Sequence, residues 1–64
     1  MKVLLRNARR QLDIDGSRTV RDLPNELGLD RGAHLVIRNG TLVPGDERLE
    51  DVDTVEVRPV ISGG

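Results

Sequence analysis

The residues of this chain with the plainest chemical meaning are its last four, Ile61-Ser62-Gly63-Gly64. Glycine at a frayed end adds no stability and carries a large entropic cost, so packing gives little reason for a Gly-Gly ending. Chemistry gives one. Without Cβ atoms, Gly63 and Gly64 can lie flat in a narrow channel and bring a terminal carboxylate to another enzyme's reactive centre. The competing reading is a short inert tail, and only the context of the motif decides between them. Ser62 has no histidine placed beside it by any visible pattern, which argues against a nucleophilic triad. His34 is the single histidine and the chain has no cysteine, so a metal site is not expected. Neither catalysis within the chain nor a bound cofactor is expected.

Ten Lys and Arg residues face eleven Asp and Glu, a formal net charge of −1 over 64 residues. Such a balance creates no global field for nucleic acid or anionic lipid. Arg6, Arg9 and Arg10 crowd one stretch and invite a phosphate-binding reading. Against it stand the nearby Asp13 and Asp15 and the complete absence of Phe, Tyr and Trp to stack on bases. Direct nucleic-acid binding is therefore not expected. Met1 to Arg6 is too short for a secretory apolar region, and no run of about 18 apolar residues exists. A cytoplasmic monomer with no membrane contact is expected.

The elements that must position the tail can be read in order. Lys2 to Asn7 alternates, with Val3 and Leu5 on one face and Leu4 on the other; Gln11 to Asp15 alternates again, so the two form an antiparallel hairpin. Thr19 reads as the N-cap of a short helix from about Val20 to Leu27, with Val20, Leu23 and Leu27 on one side. Pro24 would distort its first turn, and Gly28 fits the left-handed position that ends it, with Leu29 folding back. His34 to Arg38 is strongly β-forming, and Asn39-Gly40 is the preferred two-residue hairpin turn before Thr41-Leu42-Val43. Asp46 to Asp53 reads as a surface loop pinned by Leu49 and Val52. Thr54 to Arg58 is the last strand, with Val55 and Val57 inward and Pro59 marking its end. The expected boundaries are a domain over 1–58 and a flexible tail over 59–64. Hairpin, helix, hairpin and final strand make an α+β arrangement of the β-grasp kind, a mixed sheet with one helix on one face.

Across essentially its whole length the sequence resembles the ubiquitin-like sulfur carriers of the ThiS and MoaD type. The resemblance rests on Leu35-Val36-Ile37-Arg38-Asn39-Gly40, on Leu42-Val43-Pro44, on Leu49 to Val57 and on the Ile61-Ser62-Gly63-Gly64 ending. Val52 stands where the family usually has glycine. The resemblance implies that a ThiF- or MoeB-like partner uses ATP to adenylate the Gly64 carboxylate, after which a persulfide-derived sulfur displaces AMP. The product is a C-terminal thiocarboxylate that a downstream sulfurtransferase or synthase consumes. Ser62 and Gly63 would thread the partner's active site. The ending is most similar to carriers for tRNA 2-thiouridine formation, ahead of thiamine thiazole and then molybdopterin synthesis. A ubiquitin-like modifier joined through Gly64 to lysines stays open, as does an interaction module with an inert tail. Strand alternation places Leu4, Val36 and Val60 on the sheet face away from the helix, and with Ile61 these are expected to form the docking patch for the activating enzyme.

Overall fold

The computed structural model describes residues 1–6 and 9–60. Its strands are β1 (Lys2–Leu5), β2 (Arg10–Asp13), β3 (Arg18–Thr19), β4 (His34–Arg38), β5 (Thr41–Leu42), β6 (Arg48–Leu49) and β7 (Thr54–Pro59); helix α1 spans Asp22–Glu26 and a 3₁₀ turn spans Arg31–Ala33. Five strands form one mixed sheet in the order β2-β1-β7-β4-β5, and β3 and β6 make a separate two-stranded ladder. The β1–β7 pair is parallel and its neighbours are antiparallel. With α1 and the residues around it covering one face, this is the β-grasp architecture.

The register explains the core. Val3 lies opposite both Leu12 and Val55, and Val57 lies opposite both Leu5 and Val36, so these residues share one side of the sheet. They meet Val20 and Leu23 from the helical segment and Leu49 from β6, and all of Val3, Leu23, Leu49 and Val55 are fully buried. Val36 is therefore a core residue, only 5% exposed, and not part of the uncovered face. The run Leu35-Val36-Ile37 is apolar at every position, so alternation alone could not set its phase; pairing with Val57 does.

The helix starts later than its pattern predicts. Thr19 is not an N-cap: it belongs to β3, opposite Arg48 in β6, and the Val20 and Arg21 N–H groups donate to the carbonyls of Glu47 and Gly45. Tertiary pairing has displaced the local capping preference. Because α1 begins at Asp22, Pro24 is its third residue, where backbone N–H groups have no intrahelical partner and a missing donor costs nothing. The helix closes as expected. Gly28 is left-handed at φ 72, its N–H donates to Asn25, and Leu29 N–H donates to Pro24 at 2.8 Å, the double bond pattern of a Schellman cap.

Two other expectations change. Leu49 anchors the 46–53 segment, but Val52 does not: it is 91% exposed, and the turn is held by Asp53, whose carboxylate accepts from Glu50 N–H and from Asn39 Nδ2. The last strand also runs past Arg58, since β7 includes Pro59 and the Val60 N–H donates to Ala33 at 2.7 Å. Proline removes its own donor without ending the ladder.

Chemical denaturation checks these assignments. Leu49→Ala should cost about 2–5 kcal/mol by opening a core cavity, and Val52→Ala should stay within about 0.5 kcal/mol. Val36→Asp should unfold the domain as Val57→Asp does, whereas Leu35→Asp should leave the unfolding midpoint nearly unchanged. A stable Val36→Asp variant would contradict the strand phase.

Candidate functional site

The face of the sheet that α1 leaves uncovered carries the other half of each strand's alternation. Leu4 lies opposite Gln11 on one side and Glu56 on the other; Ile37 lies opposite Glu56 and Leu42; Leu35 lies opposite Arg58. Leu35 is 42% and Leu42 60% exposed, while Leu4 and Ile37 are half-buried by neighbours in the same layer. Two residues beyond Arg58, Val60 continues the alternation onto this side and is exposed. The result is an aliphatic strip running across β1, β4 and β5 that no element among the described residues covers.

Of the residues singled out in the sequence, Leu4 and Val60 thus belong to the open face and Val36 does not. Its place is taken by Leu35, Ile37 and Leu42, which sequence reasoning missed. A signal for Leu42 was present: a two-residue turn at Asn39-Gly40 makes Arg38 and Thr41 partners, which sets Ile37 opposite Leu42. Ile61, Ser62, Gly63 and Gly64 lie outside the described residues. Strand β7 runs parallel to β1, so Val60 lies at the end of the sheet where β1 turns towards β2 and β4 begins.

One ionic group interrupts the aliphatic strip. Glu56 Oε2 accepts from Arg6 Nε and from Arg58 Nε, each at 2.7 Å, so a carboxylate from the centre of the sheet is clamped between guanidiniums of β7 and the end of β1. The hydrogen bonds from Arg6 and Arg58 hold its pKa below the ordinary carboxylate value. The charge is thereby kept on the open face at neutral pH, beside Leu4 and Ile37 rather than buried among them. His34, by contrast, is engaged in structure, with Nδ1 2.7 Å from the Asp30 carbonyl oxygen at the 3₁₀ turn. Among the described residues no group of three His, Cys, Asp or Glu side chains is placed to hold a metal ion, and no helix is long and apolar enough to cross a membrane.

Comparison with known proteins points to a family. The ThiS family profile covers residues 4–64. The chain is also 34% identical, over 65 aligned positions spanning 100% of both chains, to the sulfur carrier protein TtuB of Thermus thermophilus.

The Glu56 clamp has a pH signature. Because its folded pKa is depressed, its contribution to stability is complete above the unfolded carboxylate pKa and is lost as pH falls through the lower folded value. Thermal unfolding of Glu56→Gln should therefore differ most from the parent at neutral pH and converge with it in acid. Both arginines are half-exposed, so added salt should shrink the difference. A gap that persists unchanged into strong acid would show that Glu56 acts through packing instead.

Proposed function

The chain belongs to the ThiS family, and on that footing we propose that it is a sulfur-carrier protein whose Gly64 carboxylate is the working group. A ThiF- or MoeB-like enzyme joins that carboxylate to the α-phosphate of ATP, releasing pyrophosphate. A carboxylate is a poor electrophile until it is made a mixed anhydride; then the outer sulfur of a partner's persulfide can displace AMP to give an acyl disulfide, and a second partner thiol breaks its S–S bond, leaving the thiocarboxylate and a partner disulfide. The carrier supplies the acyl carbon and its delivery. Nucleotide binding and proton transfers belong to the partner, and a downstream sulfurtransferase consumes the product, with tRNA 2-thiouridine formation as the acceptor reaction and a cytoplasmic setting.

The observation that carries this reading is positional. The strand that leads into the Gly-Gly ending is the central one, flanked by β1 and β4, and it leaves the sheet beside an exposed aliphatic face. A tail needing to enter a partner's channel is thus rooted in the most firmly held element of the domain and accompanied by a surface suited to docking. We assign the docking surface to Leu4, Leu35, Ile37, Leu42 and Val60, continuing into Ile61, with Ser62 and Gly63 spanning the channel.

Three measurements test the proposal. Intact mass analysis of the protein from its own cells should show one oxygen of Gly64 replaced by sulfur; branched lysine peptides retaining Gly63 and Gly64 would favour the modifier reading instead. Adding one residue after Gly64 should abolish ATP-dependent adenylation with no change in the unfolding midpoint. Leu42→Asp should weaken binding to the activating enzyme by at least ~2 kcal/mol, since a charge would be desolvated without a partner. Full adenylation of the extended chain without trimming would overturn the assignment of Gly64.

A further inference from the structure

The near-zero net charge conceals a sharp separation of charge along the first hairpin. Arg6, Arg9 and Arg10 lie at its turn end, and Arg58 of β7 is brought alongside by the parallel register. Asp13 and Asp15, close in sequence to these arginines, are at the other end: Asp13 is paired with Lys2, and Asp51 receives the Gly16 N–H at 2.7 Å. Strand geometry therefore removes the acidic residues that would neutralise the cluster. Within β2, β1 and β7 at the turn end, Glu56 is the one carboxylate, and it is taken up by Arg6 and Arg58. Arg9 and Arg10 are exposed and make no ion pair among the described residues.

Arg6, Arg9 and Arg10, with Leu4, Leu5 and Gln11, line an open hollow of about 380 Å³ of mixed polar and aliphatic character. Arg9 holds a left-handed backbone, φ 51, which glycine or asparagine would adopt more readily. The cluster is also at the same end of the sheet as Val60, on the β1 side of the departing chain. A nucleic acid would be served by stacking groups, and the chain has no aromatic residue. Exposed arginines beside aliphatic side chains instead fit a protein surface that offers carboxylates next to apolar groups.

We infer that Arg9 and Arg10 form a cationic docking contact for an acidic surface of the activating enzyme, beside the entrance through which it receives the Gly-Gly tail. The inference rests on the sulfur-carrier reading and adds a specified partner chemistry and orientation to it. The contact acts at long range: the basic end of the hairpin leads, so the domain meets the enzyme tail end first, and the aliphatic face then docks.

The test uses purified activating enzyme, the full chain and the double variant Arg9→Gly/Arg10→Glu. Glycine relieves the left-handed position, so the fold should survive, as checked by thermal melting. Association at low ionic strength should slow by about tenfold or more with little change in dissociation, and the difference should fade as salt is raised. Arg21→Glu, an exposed charge reversal just before α1, controls for reversing a charge away from the hairpin and should stay within about twofold on the same expectation. Association of the double variant equal to that of Arg21→Glu would overturn the contact while leaving the carrier reading intact. A parent chain that the enzyme never adenylates would overturn both. Loss of binding to a tRNA transcript in the double variant, with enzyme association unchanged, would assign the arginines to RNA and overturn the inference as stated.

Discussion

The placement of β7 between β1 and β4 is the constraint on which the rest depends. One face of this strand sends Val55 and Val57 into the core, and the other presents Glu56 and Arg58 on the open face. Its parallel pairing with β1 cannot be made by a tight turn and requires the intervening helix and second hairpin to cross the sheet. The same strand directs the chain towards its glycine ending. Core formation and the place where the chain leaves the sheet are consequently one structural event, and a sequence that failed to insert β7 would lose both.

The core that results is small and wholly aliphatic. Val, Leu, Ile and Met offer no polar handle, so each contributes through area removed from water, roughly 1.5–3 kcal/mol for a fully buried side chain. With so few such residues, a domain of this size has little stability to spare. The irregular segments are tied down by other means: β3 is laced to β6, and the Asn39, Asp53 and Thr54 groups satisfy one another at the turn end of the second hairpin. Among the described residues no buried side-chain nitrogen or oxygen lacks a partner.

Much of this was legible wherever one residue type answers one local need. Asn39 and Gly40 both have positive φ, as their dipeptide implies, and Gly28 caps the helix with Leu29 folded back. The hairpins and the neighbouring first and last strands follow from alternation and connection length. What stayed hidden was set by partners distant in sequence. Val36 looked outward because three successive apolar residues carry no phase, and only Val57 across the ladder fixes it. Thr19 looked like a cap because its local pattern is one, but Arg48 claims it for a strand. Val52 looked like an anchor because it is apolar, while the anchoring falls to a polar residue, Asp53, that hydropathy ranks as surface. The open sheet face suffered most, since a single error of strand phase exchanges Val36 for Leu35 and Ile37 and leaves Leu42 unnoticed.

The side chain of Asn39 is held at both ends, its Nδ2 donating to Asp53 Oδ1 at 3.1 Å and its Oδ1 accepting the Thr54 N–H at 2.9 Å. Asparagine before glycine is chemically perishable, because the glycine nitrogen can attack the side-chain carbonyl and expel ammonia. In the folded domain hydrogen bonds at both ends of that side chain restrain the rotation that would bring its carbonyl carbon to the Gly40 nitrogen, so ageing is favoured in molecules that have opened. The aspartate left behind would face the carboxylate of Asp53 and could not donate to it, which opposes reclosure of the turn. Damage at this one position therefore accumulates with time spent unfolded, and it removes from service those carriers that have opened most often.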